Sequence, residues 1–169
     1  MGSSSNEIHT CLFFGNDAEE AANFYVSVFP NSKIGFIARF PDLGNDNPAP
    51  SHKPGSVLTV SFTLNGRPFT ALNSRPSTIQ FTEAVSFQIM CDTQDEVNHY
   101  WDKLSEGGDP NAQMCGWLKD KFGVSWQVVP KLLPAIFETG DPEKAAKCMK
   151  SFSAMKKINI QEIRDAVEN

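Results

Sequence analysis

Cys11-Leu12-Phe13-Phe14, followed by Asp17, Glu20, Phe24-Tyr25 and Val28, is echoed later in the chain. There Val85-Ser86-Phe87-Gln88-Ile89 leads to Thr93, Glu96, Tyr100-Trp101 and Leu104. Asp17 and Thr93, Glu20 and Glu96, Phe24 and Tyr100, and Val28 and Leu104 all stand 76 residues apart. Each copy reads as an apolar strand, a capping residue with Glu three positions later, and an amphipathic helix. A β-α unit repeated at that distance predicts two similar modules facing each other, with a small molecule bound in the concavity between them.

Around the first copy, a strand is expected over His9 to Phe14, closed by Gly15-Asn16. Asp17 with Glu20 predicts a capping box, and Ala18, Ala21, Ala22, Tyr25, Val28 and Phe29 recur along one helical face. Lys33 to Phe40 alternates as a strand, and Pro41 to Pro54 is a Pro-, Asn-, Asp- and Gly-rich loop. Asn65-Gly66 between Ser56–Leu64 and Arg67–Leu72 predicts a type I′ hairpin, because both central residues of that turn need positive φ.

The second copy opens with a strand over Ala84 to Cys91 and a Thr93/Glu96 capping box. Its helix buries Val97, Tyr100, Trp101 and Leu104 and ends at Gly107-Gly108. Met114–Lys119 and Val124–Val129 form a last hairpin. The remainder is helical, with Asp141-Pro142-Glu143 starting one helix, expected to run through about Met155, and Asn159 with Glu162 another. Its apolar positions need a surface to cover, on this subunit's own sheet or on a second subunit. The expected divisions are a flexible N-terminus (1–7), a first module (8–73), a linker (74–83), a shorter second module (84–130) and a helical tail (131–169).

Composition narrows the function classes. The chain has 169 residues, 40% of them hydrophobic and 21% charged, as in an ordinary soluble domain. A net charge of −5 with no basic stripe argues against a nucleic-acid partner. No apolar run approaches the roughly 20 residues needed to span a bilayer. Asn6 stands where a myristoylation signal needs Ser or Thr. Four scattered cysteines without a Cys-x-x-Cys pair fit reduced thiols in the cytoplasm.

The stretch Ala18-Glu19-Glu20-Ala21-Ala22-Asn23-Phe24-Tyr25-Val26-Ser27-Val28-Phe29-Pro30 resembles the first helix of the PhnB-like branch of the vicinal oxygen chelate superfamily. That superfamily includes glyoxalase, bleomycin-resistance proteins and extradiol dioxygenases. Asn65-Gly66-Arg67-Pro68-Phe69-Thr70-Ala71-Leu72-Asn73, Cys91 to Val97, Cys115 to Asp120 and Phe122 to Pro130 continue the resemblance over nearly the whole chain. It implies an α+β fold of two βαβββ modules with curled mixed sheets, glyoxalase/bleomycin-resistance-like, plus C-terminal helices, and a homodimer. The branch also carries a demethylubiquinone methyltransferase label.

Metal-using members of the superfamily hold a divalent ion with His and Glu from four inward-facing strand positions. Alternation and the repeat place Thr10 and Ser86 at two of these, and aligning the hairpin turns places Thr70 and Gln127 at the others, with Asn73 competing for Thr70. Neutral hydroxyls and amides are weak ligands for a transition metal, so no metal is expected. His9 is the nearest rival, sent by alternation to the opposite face; a slip of one residue would reverse that assignment.

No glycine-rich loop follows a strand, which argues against a nucleotide or S-adenosylmethionine cofactor and so against the methyltransferase label. No cofactor is expected. His52 in the long loop and His99 on the second helix read as solvent-facing. The expected function is metal-free binding of a small, partly apolar organic molecule. Leu12, Phe14 and Met90 would be apolar walls, Thr10, Thr70, Asn73, Ser86, Gln88 and Gln127 the polar contacts, and Trp117 either a wall or packing. The alternatives are a metal-dependent lyase or dioxygenase of the glyoxalase kind, metal-free acid–base isomerisation, and a structural dimer without a ligand.

Overall fold

The computed structural model describes residues 8–42, 44, 52–74, 76 and 78–168. The chain divides into two compact units at Ile79/Gln80. Residues 1–7 and most of the 41–54 loop lie outside the described residues.

In the first unit, β1 (Thr10–Phe13) leads into α1 (Ala18–Val28), followed by β2 (Lys33–Arg39), β3 (Val57–Leu64) and β4 (Arg67–Leu72). The strands form one sheet in the order β1-β4-β3-β2, with β1 parallel to β4 and the other pairs antiparallel. Asn65 and Gly66 both have positive φ (47° and 78°), as the type I′ turn between β3 and β4 requires.

One face of this sheet is dry. Leu12, Phe14, Val60, Phe62, Leu64, Phe69 and Ala71 are buried there with Ala18, Ala21, Ala22, Tyr25 and Val28 of α1. Phe62 stacks on Phe69 at 5.4 Å between ring centroids and on Tyr25 at 6.4 Å. Burying a large side chain of this kind contributes about 1.5–3 kcal/mol, so these contacts dominate the unit's cohesion.

The predicted capping box at Asp17 does not form. Asp17 has φ −100° and ψ 10°, not the extended backbone of a capping residue, and its side chain makes no cap bond. Asn73 does the work from across the unit: its Oδ1 accepts from the Ala18 N–H at 3.0 Å, and its Nδ2 donates to the Val57 carbonyl at 2.9 Å.

In the second unit, β5 (Phe87–Cys91) leads into α2 (Gln94–Ser105), then β6 (Trp117–Lys119) and β7 (Ser125–Pro130). The sheet order is β5-β7-β6, with β5 parallel to β7. Here the capping box is present, Thr93 Oγ1 accepting from Glu96 N and the Glu96 carboxylate accepting from Thr93 N. The family resemblance implies four strands, whereas the sequence pattern gives three, and three are found among the described residues. Between α2 and β6 the chain makes a 3₁₀ turn at Pro110–Ala112 and a single bridge at Met114. Pro110 supplies no N–H for a ladder there.

Buried Asp120 organises the β6–β7 hairpin. Its Oδ1 accepts from Phe122 N and Val124 N, and its Oδ2 from Trp126 Nε1 at 2.8 Å.

The tail forms α3 (Leu132–Glu138), α4 (Pro142–Ser153) and α5 (Ile160–Glu168). The starts at Asp141 and Asn159 are those read from the sequence, Asp141 accepting from Glu143 N and Lys144 N and Asn159 from Gln161 N and Glu162 N. The second helix stops at Ser153, two residues short of the expected Met155. Leu133, Ile136, Cys148, Ile158 and Ile163 make a small core against Val129 of β7. The tail therefore packs on its own unit's sheet. No helix among the described residues is long and apolar enough to cross a membrane.

Candidate functional site

In each unit the helix covers one face of the sheet and leaves the other open. Strand pairing says which side chains share that open face. In the first sheet Cys11 pairs with Thr70 and Phe13 with Leu72, while Thr10 pairs with Phe69 and Leu12 with Ala71. Phe69 and Ala71 are buried in the core shared with α1, so Thr10, Leu12 and Phe14 belong to that covered face. This corrects the expectation for all three. Leu12 and Phe14 are core residues, and the open face carries Cys11, Phe13 and Thr70 instead. His9, two residues before Cys11, lines the same hollow as Thr70.

The reason is one residue of chain. From the last core-facing strand residue to the N-cap there are three steps in the first unit (Phe14 to Asp17) and two in the second (Cys91 to Thr93). The helices therefore match at 76 residues and the strands at 77, since Thr10–Phe69 corresponds to Phe87–Trp126. A slip of one residue exchanges the faces of a strand.

Asn73 is also corrected. It is 3% exposed, and both ends of its amide are bound to backbone groups of its own unit, so it holds α1 and β3 rather than a ligand.

The expectations for the second sheet match its strand register. Gln88 pairs with Gln127, Met90 with Val129, and Trp117 with Gln127, all on the face away from α2. Ser86, just before β5, joins them: Gln127 Nε2 donates to Ser86 Oγ at 2.7 Å, and Gln88 Nε2 donates to Gln127 Oε1 at 3.1 Å. The result is an uncharged row of hydroxyl and amides across two strands, bordered by half-exposed Met90 and Trp117. Sequence reasoning missed Ser125, two residues before Gln127 on the same face. It is 2% exposed, and its Oγ has no hydrogen-bond partner. The tail bounds this face at Val129 and at Gly116, whose N–H donates to the Lys156 carbonyl at 2.8 Å.

On the open face of the first sheet a half-open hollow of about 170 Å³ is lined by His9, Lys33, Gly35, Ser61, Thr63, Pro68 and Thr70, with Phe62 and Phe69 behind them. Ser61 Oγ is engaged with the backbone of a β-bulge in β2, accepting from Phe36 N at 2.7 Å and donating to Phe36 O at 3.1 Å. Gly35 is required at that bulge, because a Cβ there would stand 2.6 Å from Ser61 Oγ.

The donor set does not fit a resident transition metal. Among the described residues no three His, Cys, Asp or Glu side chains come together. The first sheet offers His9 and Thr70, the second Ser86 and Gln127; hydroxyls and amides are poor partners for such ions. Nor do the strand-to-helix turns offer a cradle for an anionic cofactor. The start of α1 is filled by Asn73 and that of α2 by Thr93 and Glu96.

Three of the four thiols are unsuited to nucleophilic chemistry. Burial pushes the Cys91 thiol up to about 12, and burial also raises Cys11 and Cys148. Thiolates are the reactive form, and these groups stay protonated at neutral pH. His52 stacks on Phe40 at 4.5 Å beside the long loop, and His99 lies exposed on α2 against Tyr100.

Comparison with known proteins bears on this arrangement. Residues 6–129 match the model of the 3-demethylubiquinone-9 3-methyltransferase family. The solved structure of the PhnB protein from Bacillus cereus is 36% identical, with a TM-score of 0.62 over 74% of this chain and 99% of that one. Protein PA1353 from Pseudomonas aeruginosa, 20% identical, gives 0.56 over 75% and 98%. The curated proteins give no match. The match to the family model ends at Val129, before the C-terminal helices.

Proposed function

The chain belongs to the PhnB-like 3-demethylubiquinone-9 3-methyltransferase family, within the vicinal oxygen chelate superfamily, and on that footing we propose that it binds a small, partly apolar organic molecule without a resident metal. The observation that carries this reading is the Ser86–Gln127–Gln88 row on the open face of the second sheet. Three uncharged groups, oriented by one another and flanked by Met90 and Trp117, give direction to a ligand whose body is apolar. The Gln127 amide both donates and accepts hydrogen bonds in this row, which a metal-holding carboxylate would not do.

Methyl transfer, which the family description names, finds less support. The helix starts that could hold an anionic cofactor carry the protein's own caps, and no group suited to accept a proton from a phenol stands in the uncharged row. Binding or sequestration is the reading the side chains support best. A second copy of the chain as partner and a cytoplasmic location, to which four free cysteines are suited, belong to the same proposal.

The test is a thermal-shift screen of small aromatic and aliphatic molecules, repeated on Gln127→Leu. Hits should raise the Tm of the parent, and the substitution should weaken them at least tenfold, the scale of one or two well-placed hydrogen bonds. Stoichiometric transition metal in the purified protein, or hits indifferent to Gln127→Leu, would overturn the reading.

A further inference from the structure

The hollow on the first sheet differs in character from the uncharged row on the second. Among the described residues its lining carries two nitrogen-bearing side chains, Lys33 and His9, and three hydroxyls, Ser61, Thr63 and Thr70, and no carboxylate. Lys33 pairs with Thr63 across β2 and β3, and Ser61 with Thr70 across β3 and β4, so these four side chains stand on one face of three adjacent strands. Among the described residues Lys33 has no carboxylate partner, in a chain whose net charge is −5. Lysines 119, 131, 147 and 157 are each paired with an Asp or Glu, whereas among the described residues Lys33 shares its lack of a carboxylate partner with Lys103, Lys144 and Lys150. Ser61 is committed to the bulge, which leaves the Thr63 and Thr70 hydroxyls and the Lys33 ammonium as donors.

We propose that this hollow, within the first unit alone, binds the oxyanion end of a small organic anion, a carboxylate or its equivalent, with Lys33 as its counter-charge and Thr63 and Thr70 as hydroxyl donors. Charge-assisted hydrogen bonds to such a group are about twice as strong as neutral ones, and none of the described lining residues is an acid that would repel it. At about 170 Å³ it is smaller than the roughly 300–1,000 Å³ of a pocket for a whole drug-sized ligand. It therefore suits a head group rather than an entire molecule. Pro68 offers apolar surface to the body next to that group. This inference rests on the reading above that the chain binds small organic molecules, and adds a preference for anionic ones at the first unit.

Benzoate, its neutral isostere benzamide and its cationic counterpart benzylamine are the probes, titrated into ¹⁵N-labelled full-length protein and into Lys33→Gln. Benzoate should shift the amides of Thr63 and Thr70 saturably, and bind at least tenfold more tightly than benzamide or benzylamine. Lys33→Gln should remove most of that preference while leaving benzamide unchanged. Lys33 is exposed, so the variant is expected to fold as the parent does. Benzamide binding as tightly as benzoate, or a benzoate preference that survives Lys33→Gln, would overturn the charge assignment while leaving small-molecule binding intact. Saturable shifts by none of the three probes at these amides would overturn the hollow as a head-group site.

Discussion

Single side chains decide more here than their neighbours in sequence suggest. Asp17 occupies the position of an N-cap and does nothing there, whereas Asn73 caps α1 from 55 residues away and ties it to β3. Removing Asn73 takes its partner from the buried Ala18 N–H and from the half-buried Val57 carbonyl. Asn73→Ala is therefore expected to cost about 3 kcal/mol in urea unfolding, and Asp17→Ala less than about 0.5 kcal/mol. Equal losses for the two would refute the assignment. The local sequence carries the opposite expectation, because Asp with Glu three residues later is a capping signature. What cancels it is the backbone at Asp17, which the longer connection from β1 holds away from extended geometry.

At the scale of elements, most of the secondary structure was legible. The Thr93/Glu96 box, the Asn65-Gly66 turn and the starts of α4 and α5 depend on contacts within four residues, which local sequence encodes. The face of β1 was not legible, since it turns on whether the connection to the helix has one residue more or less. Where the tail packs was also undecided by its own pattern of apolar residues. Gln94, the first residue of α2, settles it by gripping the tail like a stretch of backbone. Its Nε2 donates to the Ile158 carbonyl at 3.1 Å and its Oε1 accepts from Ile160 N at 2.8 Å. The Lys157–Asp102 pair at 3.1 Å is more exposed and contributes little. Gln94→Ala should accordingly speed hydrogen exchange of the Ile160–Glu168 amides by about tenfold while leaving the β3–β4 amides as they are. Unchanged exchange in α5 would show that the small core around Ile158 and Ile163 suffices alone.

For the whole molecule, the donor set has a thermodynamic consequence. A structural ion adds its binding free energy to folding, so a chelator destabilises a protein that depends on one. Dialysis against EDTA is expected to leave the Tm within about 1 °C of its starting value, and a larger fall that a divalent ion restores would contradict the metal-free reading.

The sequence by itself determined that the chain is a duplicated β-α protein of the PhnB-like family, because repeated caps, turns and apolar periods are local and survive divergence. It also determined the covered and open faces of the second unit, where strand and helix keep one register. Only the tertiary structure decided the faces of the first strand, the owner of the α1 cap and the docking of the tail. Each of those depends on partners far apart along the chain, and a strand's alternation states that two faces exist without saying which one the helix will cover.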